Sequence, residues 1–232
     1  MVEPNLRRED VQRMIQDEMA SQSAQQAAQE APPARVIAEL TPVGIGGFAL
    51  TTFLLSAVNA EWLGQAGTWI PLAFFYGGLV QLLAGLGEAR NRNLFGAMVF
   101  IAFGGGFWPA IAFFFFYGPY LGLTIPGPGG QPMPVPPAIG FFLVAWTVYT
   151  VILWIASAKV NLTVFLTFIV FIVTLILLDI GFMAPAPGLV PVGGYAGIVL
   201  AAFAWYISAA GLINHMFGRA VIPLGGPLGE SS

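Results

Sequence analysis

The sequence predicts an all-α fold: a polytopic membrane protein built as a bundle of six transmembrane helices. Three observations predict it. Of its 232 residues, 57% are hydrophobic and only 8% are charged, where an ordinary soluble domain is about a quarter charged. After Glu39 the chain divides into apolar stretches separated by Gly, Pro or charge, each near the roughly 20 residues that cross a bilayer. All eight Lys and Arg residues fall in segments that an alternating topology puts on one side.

Residues 1–37 read as a cytoplasmic N-terminal arm. They are polar, rich in Gln, Ala and charge, and hold no apolar run that could serve as the core of a signal peptide. Val11, Met14, Ile15 and Met19 recur at helical spacing, so a short amphipathic helix is expected to about Ala28, stopped by Pro32-Pro33. A solvated arm or inter-subunit helix fits better than a membrane-binding face, because Glu9, Asp10, Asp17 and Glu18 match the cations.

A transmembrane domain over 38–217 follows, with spans expected at 40–58, 69–87, 94–117, 138–157, 160–183 and 190–213. The fourth and fifth are separated only by Ala158 and Lys159, which demands a tight turn. Between the third and fourth, "GPYLGLTIPGPGGQPMPVPP" is too rich in Pro and Gly to be helical and reads as an external loop. Residues 218–232 form a cytoplasmic tail. Arg7, Arg8, Arg13 and Arg35 precede the first span, Arg90 and Arg92 lie between the second and third, Lys159 between the fourth and fifth, and Arg219 after the sixth. This bias places both termini in the cytoplasm, in a multi-pass protein of the cytoplasmic (inner) membrane.

Several classes are excluded. A net charge of −3 argues against nucleic acid as a partner, and without cysteine there is no disulfide, thiolate metal site or thiol nucleophile. The acidic groups near the spans, Glu39, Glu61, Glu88 and Asp179, all fall near span ends, and His215 reads as an interfacial residue. No catalytic cluster, metal site or cofactor is expected, which disfavours an enzyme.

The polar content of the spans is selective. In "FYGGLVQLLAGLGE" a helical wheel puts Gly77, Gly78, Gln81, Ala84, Gly85 and Glu88 in an arc of about 120°, opposite Leu79, Leu82, Leu83 and Leu86. Small residues let another helix approach closely, but the Gln81 amide needs partners or water at membrane depth. In the first span Phe48, Thr51, Thr52 and Leu55 follow i, i+3, i+4, i+7, with back-bonding of the threonines to their own helix the alternative role. In the third, three glycines before Phe107 together with Pro109 predict a kink or break. Residues 103–109 are thus either a solute contact or a kink filled by a neighbouring helix.

Taken together, "FALTTFLL", "FYGGLVQLLAGLGEARNRNLFG", "GFW" at Gly106–Trp108 and "NHMFGRAVIPLG" resemble blocks of the acetate uptake transporter family, which includes the bacterial succinate-acetate permeases. The resemblance covers about residues 38–226 in unbroken order. The family's Asn-Pro-Ala-Pro signature here reads "ELTPVGIG", and its tyrosine before the Gly-x-Phe-Trp block is replaced by Phe103 or Gly104. The resemblance implies a homohexameric ring of six-helix protomers, each with its own path. It places Phe48, Phe103 or Gly104, and Phe171 at a constriction, with Thr51, Thr52, Tyr76, Gln81, Trp108 and Asn214 along the substrate pathway. The expected solute is acetate or a similar short-chain carboxylate, with succinate a candidate and proton coupling open. A six-helix amide or urea channel and a non-transporting membrane scaffold stay as alternatives.

Overall fold

The structure, a computed structural model, describes residues 8–30, 39–64, 67–117, 120, 124–126, 132–134, 136–184 and 186–229. Arg7, Arg35, the Pro32-Pro33 helix stop and most of the Pro/Gly-rich loop lie outside the described residues. The chain divides into two compact units, Met1–Val36 and Ile37–Ser232. The first contains α1 (Arg8–Glu30), a 23-residue helix on which Met14, Ile15 and Met19 are all exposed.

The second unit contains six helices long and apolar enough to span a membrane: α2 (Thr41–Asn59), α3 (Trp69–Arg90), α4 (Leu94–Tyr117), α5 (Pro136–Ser157), α6 (Leu162–Met183) and α7 (Leu189–Phe217). The chain is thus a multi-pass, all-helical membrane protein. Between α4 and α5, β1 (Thr124–Pro126) and β2 (Pro132–Pro134) pair antiparallel, with Ile125 opposite Met133. Helix α7 packs on α2 and α6, α5 packs on α6, and α3 packs on α4 and α2. The six spans alternate in direction, so the α3–α4 turn, the α5–α6 turn and the end of α7 share one end, here called the basic end.

Glu88 locks that end. Fully buried at the close of α3, its carboxylate accepts hydrogen bonds from the Leu40 N–H and the Thr41 hydroxyl, both 2.9 Å, and from the Asn93 amide at 2.9 Å. One anion thereby satisfies donors at the starts of α2 and α4, where the helix dipoles favour negative charge. Asn93 in turn caps α4 by accepting from the Gly96 N–H, and Asn161 caps α6 by accepting from the Val164 N–H.

Helices α3 and α4 are not α-helical throughout. Phe75–Val80 and Ala102–Phe107 each wind as a π-helical turn, and the two turns pack against each other. The kink or break expected near 103–109 is therefore a widened turn, and the helix continues through it. Weak helix formers and the missing N–H of Pro109 loosen the i→i−4 pattern there, and a π turn keeps the backbone bonded within its own helix. A Cβ on Gly104 would lie 2.9 Å from the Gln81 carbonyl carbon, so glycine is what lets the two turns meet.

The wheel drawn for α3 describes its burial. Gln81, Ala84 and Glu88 are buried with Gly77, Gly78 and Gly85, whereas Leu79, Leu83 and Leu86 are exposed. Leu82 is intermediate.

The end of α7 turns sharply at Gly218, whose φ of 62° is the left-handed conformation that closes many helices. Residues 221–228 then run back along the bundle as an extended strap. Asn214 grips it three times, accepting from the N–H groups of Val221 (2.7 Å) and Ile222 (2.8 Å) and donating to the Ile222 carbonyl at 2.8 Å. Thr163 donates its hydroxyl and its N–H to the Leu224 carbonyl, the Leu162 N–H bonds Gly226, and the Leu228 N–H bonds Ala158.

Candidate functional site

Aromatic side chains from three helices meet on the bundle axis. The Phe48 ring of α2 lies 5.2 Å from that of Phe171 on α6, 6.1 Å from Phe103 on α4 and 6.0 Å from Trp108. Phe103 and Phe171 close the triangle at 5.2 Å. All four are buried, and the edge-to-face geometry of the Phe48 pairs is the favourable one.

Cavities lie on both sides of this cluster. The first, about 60 Å³, opens between α2, α4, α5 and α6 and is lined by Thr52, Asn59, Phe107, Trp108 and Thr174, with Phe48 and Phe171 as one wall. On the basic side of the same two rings, a space of about 40 Å³ is lined by Gln81, Phe100, Phe103, Thr167 and Phe168. Ile45, Val99, Phe100 and Phe168 are shared with a third and larger cavity of about 210 Å³ at the basic end, lined also by Thr41, Asn93, Asn161 and Leu224. The three form a series along the bundle, interrupted at Phe48–Phe103–Phe171.

The polar atoms beside the interruption lack internal partners. Both atoms of the Gln81 amide, the Thr52 hydroxyl and the Trp108 indole N–H are buried and make no hydrogen bond within the protein. Burying such groups unpaired costs roughly 1–3 kcal/mol each, and folds rarely retain several in one place without use. Trp108 can only donate, Gln81 can donate and accept, and Thr52 can do either. Between them they offer neutral donors to an anionic oxygen.

Other residues singled out from sequence lie elsewhere. Thr51 donates to the Gly47 carbonyl of its own helix at 2.8 Å and packs on Gly77, so the two threonines separate, only Thr52 facing a cavity. Tyr76 lies in the π turn of α3 against Gly46 and Gly47 of α2. Asn214 grips the strap. Asp179, near the end of α6, is buried and hydrogen-bonded to the Thr147 hydroxyl at 2.7 Å. Around Phe171, already placed at the constriction by the resemblance, the sequence carries a signal for three further cavity residues of α6: Thr167, Thr174 and Leu178 recur with it at i, i+4, i+7 and i+11, a single helical stripe.

Fold and site together define a class: multi-pass helical membrane proteins with a solute-sized, aromatically interrupted series of cavities through a six-helix bundle. The chain matches the GPR1/FUN34/yaaH family over residues 22–224 and belongs to it. It is 34% identical to acetate permease A of Emericella nidulans over 82% of this chain and 67% of that protein. It is 31% identical to the succinate-acetate/proton symporter SatP of Escherichia coli over 82% of this chain and 96% of that one. The solved structure of the bacterial acetate channel SatP superposes with a TM-score of 0.73 at 30% identity, covering 82% of this chain and 99% of that chain. The chain spans 63% of the length of yeast relatives that it matches.

Proposed function

We propose that this protein passes acetate and similar short-chain carboxylates, with succinate a candidate, across the cytoplasmic membrane through the cavity series of each protomer. The observation that carries the reading is the set of unpartnered Gln81, Thr52 and Trp108 groups on the two sides of the Phe48–Phe103–Phe171 interruption. A small anion that leaves water here meets one amide, one hydroxyl and one indole donor and no fixed charge. Phe48, Phe103 and Phe171 exclude larger or fully hydrated solutes by bulk and dewetting, with Gly104 giving the close helix approach that sets Phe103 in place. Thr51 and Tyr76 shape the α2–α3 contact behind the path. The starts of α2, α4 and α6 surround the basic-end cavity, and their dipoles favour an anion although Glu88 offsets part of that field.

The names of the relatives support a carboxylate over urea or another amide, and a transporter over an enzyme or a passive scaffold. Both termini on the cytoplasmic side follow from the basic bias, the exposed leucine face of α3 meets lipid or a neighbouring protomer, and a homohexameric ring completes the assembly. Uptake of labelled acetate, succinate and urea into proteoliposomes at two pH values tests the reading. Saturable acetate entry, faster at mildly acidic pH if a proton accompanies the anion, is expected. Urea entry with no response to acetate at either pH would promote the amide channel instead.

A further inference from the structure

The cavity at the basic end has one wall that no membrane span supplies. Leu224, at the centre of the strap, lines it together with Glu39, Thr41, Asn93 and Ile45 and packs on the bundle core. A tail that merely left the last helix would leave this cavity open on that side. Here nine hydrogen bonds among the described residues hold 221–228 in a single course: three with Asn214, two from Thr163, one each from the Leu162 N–H, the Tyr206 hydroxyl and the Lys159 ammonium, and one from the Leu228 N–H to Ala158. Asn214 spends its acceptor oxygen on two backbone N–H groups and its amide on a carbonyl two residues before Leu224. That engagement gives it a task at the strap and leaves it little capacity toward a solute.

We propose that the strap is a fixed wall of the solute's route at the basic end, with Leu224 the residue that narrows it and Asn214 the positioning residue that holds Leu224 in place. The inference rests on the carboxylate pathway proposed above and adds a second selectivity element to it, at the mouth and away from the phenylalanines. An apolar side chain there discriminates by tail length: a solute's methylenes must pass beside Leu224 while its carboxylate stays with the amide hydrogens that Asn93 and Asn161 still have to donate, the Thr41 hydroxyl proton being held by Glu88. Shortening Leu224 admits longer tails.

The chain contains no cysteine, so one introduced thiol reports without background. Leu224→Cys is compared with Gly226→Cys, a strap position where a side chain meets nothing within 4 Å, both in proteoliposomes treated with a bulky, membrane-impermeant thiol reagent on both sides. The thiol at 224 is expected to react more slowly than that at 226, and its modification alone is expected to block acetate uptake. Asn214→Ala in the Leu224→Cys background should speed the reaction, and Asn214→Asp, which keeps the acceptor oxygen, should restore most of the protection. Leu224→Ala should narrow the preference for acetate over butyrate by about tenfold, the scale on which an apolar wall discriminates a methylene or two. Equal reactivity at 224 and 226, or uptake unchanged after full modification at 224, overturns the proposal. The reactivity comparison needs no solute, so it stands apart from a wild-type protein that fails to move acetate, which would count against the carboxylate reading instead.

Discussion

Phe48→Ala separates a gate from a packing residue. The Phe48 ring contacts Phe103, Trp108 and Phe171, and aromatic pairs contribute about 0.5–1.5 kcal/mol each, so three of them sum to roughly 2–4 kcal/mol. Complete truncation of a buried Phe in a soluble core costs about 3–5 kcal/mol. In a membrane the apolar surroundings of the unfolded reference remove part of the transfer term, which makes the pairwise sum the better figure. The same truncation joins the 60 Å³ and 40 Å³ cavities that Phe48 now divides. A gate therefore predicts lower thermal stability together with faster acetate flux or weaker exclusion of larger carboxylates. Both are measured on one preparation, by thermal unfolding in detergent and by uptake after reconstitution of the folded fraction. A destabilised variant whose selectivity and flux match the wild type refutes the reasoning.

Gln81→Leu should cut acetate uptake by about tenfold or more, the effect of losing hydrogen bonds to a charged group, while thermal stability holds or rises; normal uptake by the folded variant removes Gln81 from the path. Thr52→Val should lower uptake roughly two- to tenfold, one neutral hydrogen bond's worth, whereas Thr51→Val should change it little because that hydroxyl is bonded to Gly47; equal effects in the two variants count against the cavity assignment. Glu88→Ala should destabilise the protein by about 2–4 kcal/mol, since it takes away the one acceptor of three donors at the starts of α2 and α4 and leaves them unpaired; a melting temperature unchanged from wild type contradicts it. Acetate should bind weakly, near 1 mM or about −4 kcal/mol, because only neutral donors offset its dehydration; submicromolar binding by calorimetry is incompatible with this site.

The spans were legible because a bilayer imposes a length and a polarity that few other environments do. The two-faced character of α3 was equally plain, since Gln81 and Glu88 alternate with leucines at helical spacing. Gln81 stands out as an amide among small residues and Phe48 by its helical spacing with Thr51 and Thr52, whereas within 103–109 only the resemblance singles out Trp108 as part of the path. What sequence left hidden was partnership. Nothing in "TT" tells which hydroxyl turns back to its own helix, and nothing near Glu88 announces that its partners start two other helices. Asn214 lies in a block that carries the family resemblance, but only the return of the chain past Gly218 reveals its occupation. The three glycines before Phe107 signalled a weak point in α4 without saying whether the helix would break or widen.

The π turn in α3 has an angular consequence. On an unbroken α-helix, at about 100° per residue, Trp69 and Ala73 would face roughly 90° away from the centre of the Gln81–Ala84–Gly85–Glu88 arc. Both sets are nonetheless buried in the same bundle. A π turn holds one extra residue and so delays the phase of everything after it by nearly that angle. The helix is in effect two rotors coupled by a fixed offset, and Phe75–Val80 is the coupling. Winding Phe75–Val80 as a simple α-helix with no residue removed would swing Gln81 and Glu88 about 100° out of the interior, uncoupling the amide from its cavity and the carboxylate from Leu40 in a single step, with no polar residue having been changed, whereas deleting one of the six takes out the extra residue and keeps both facing inward.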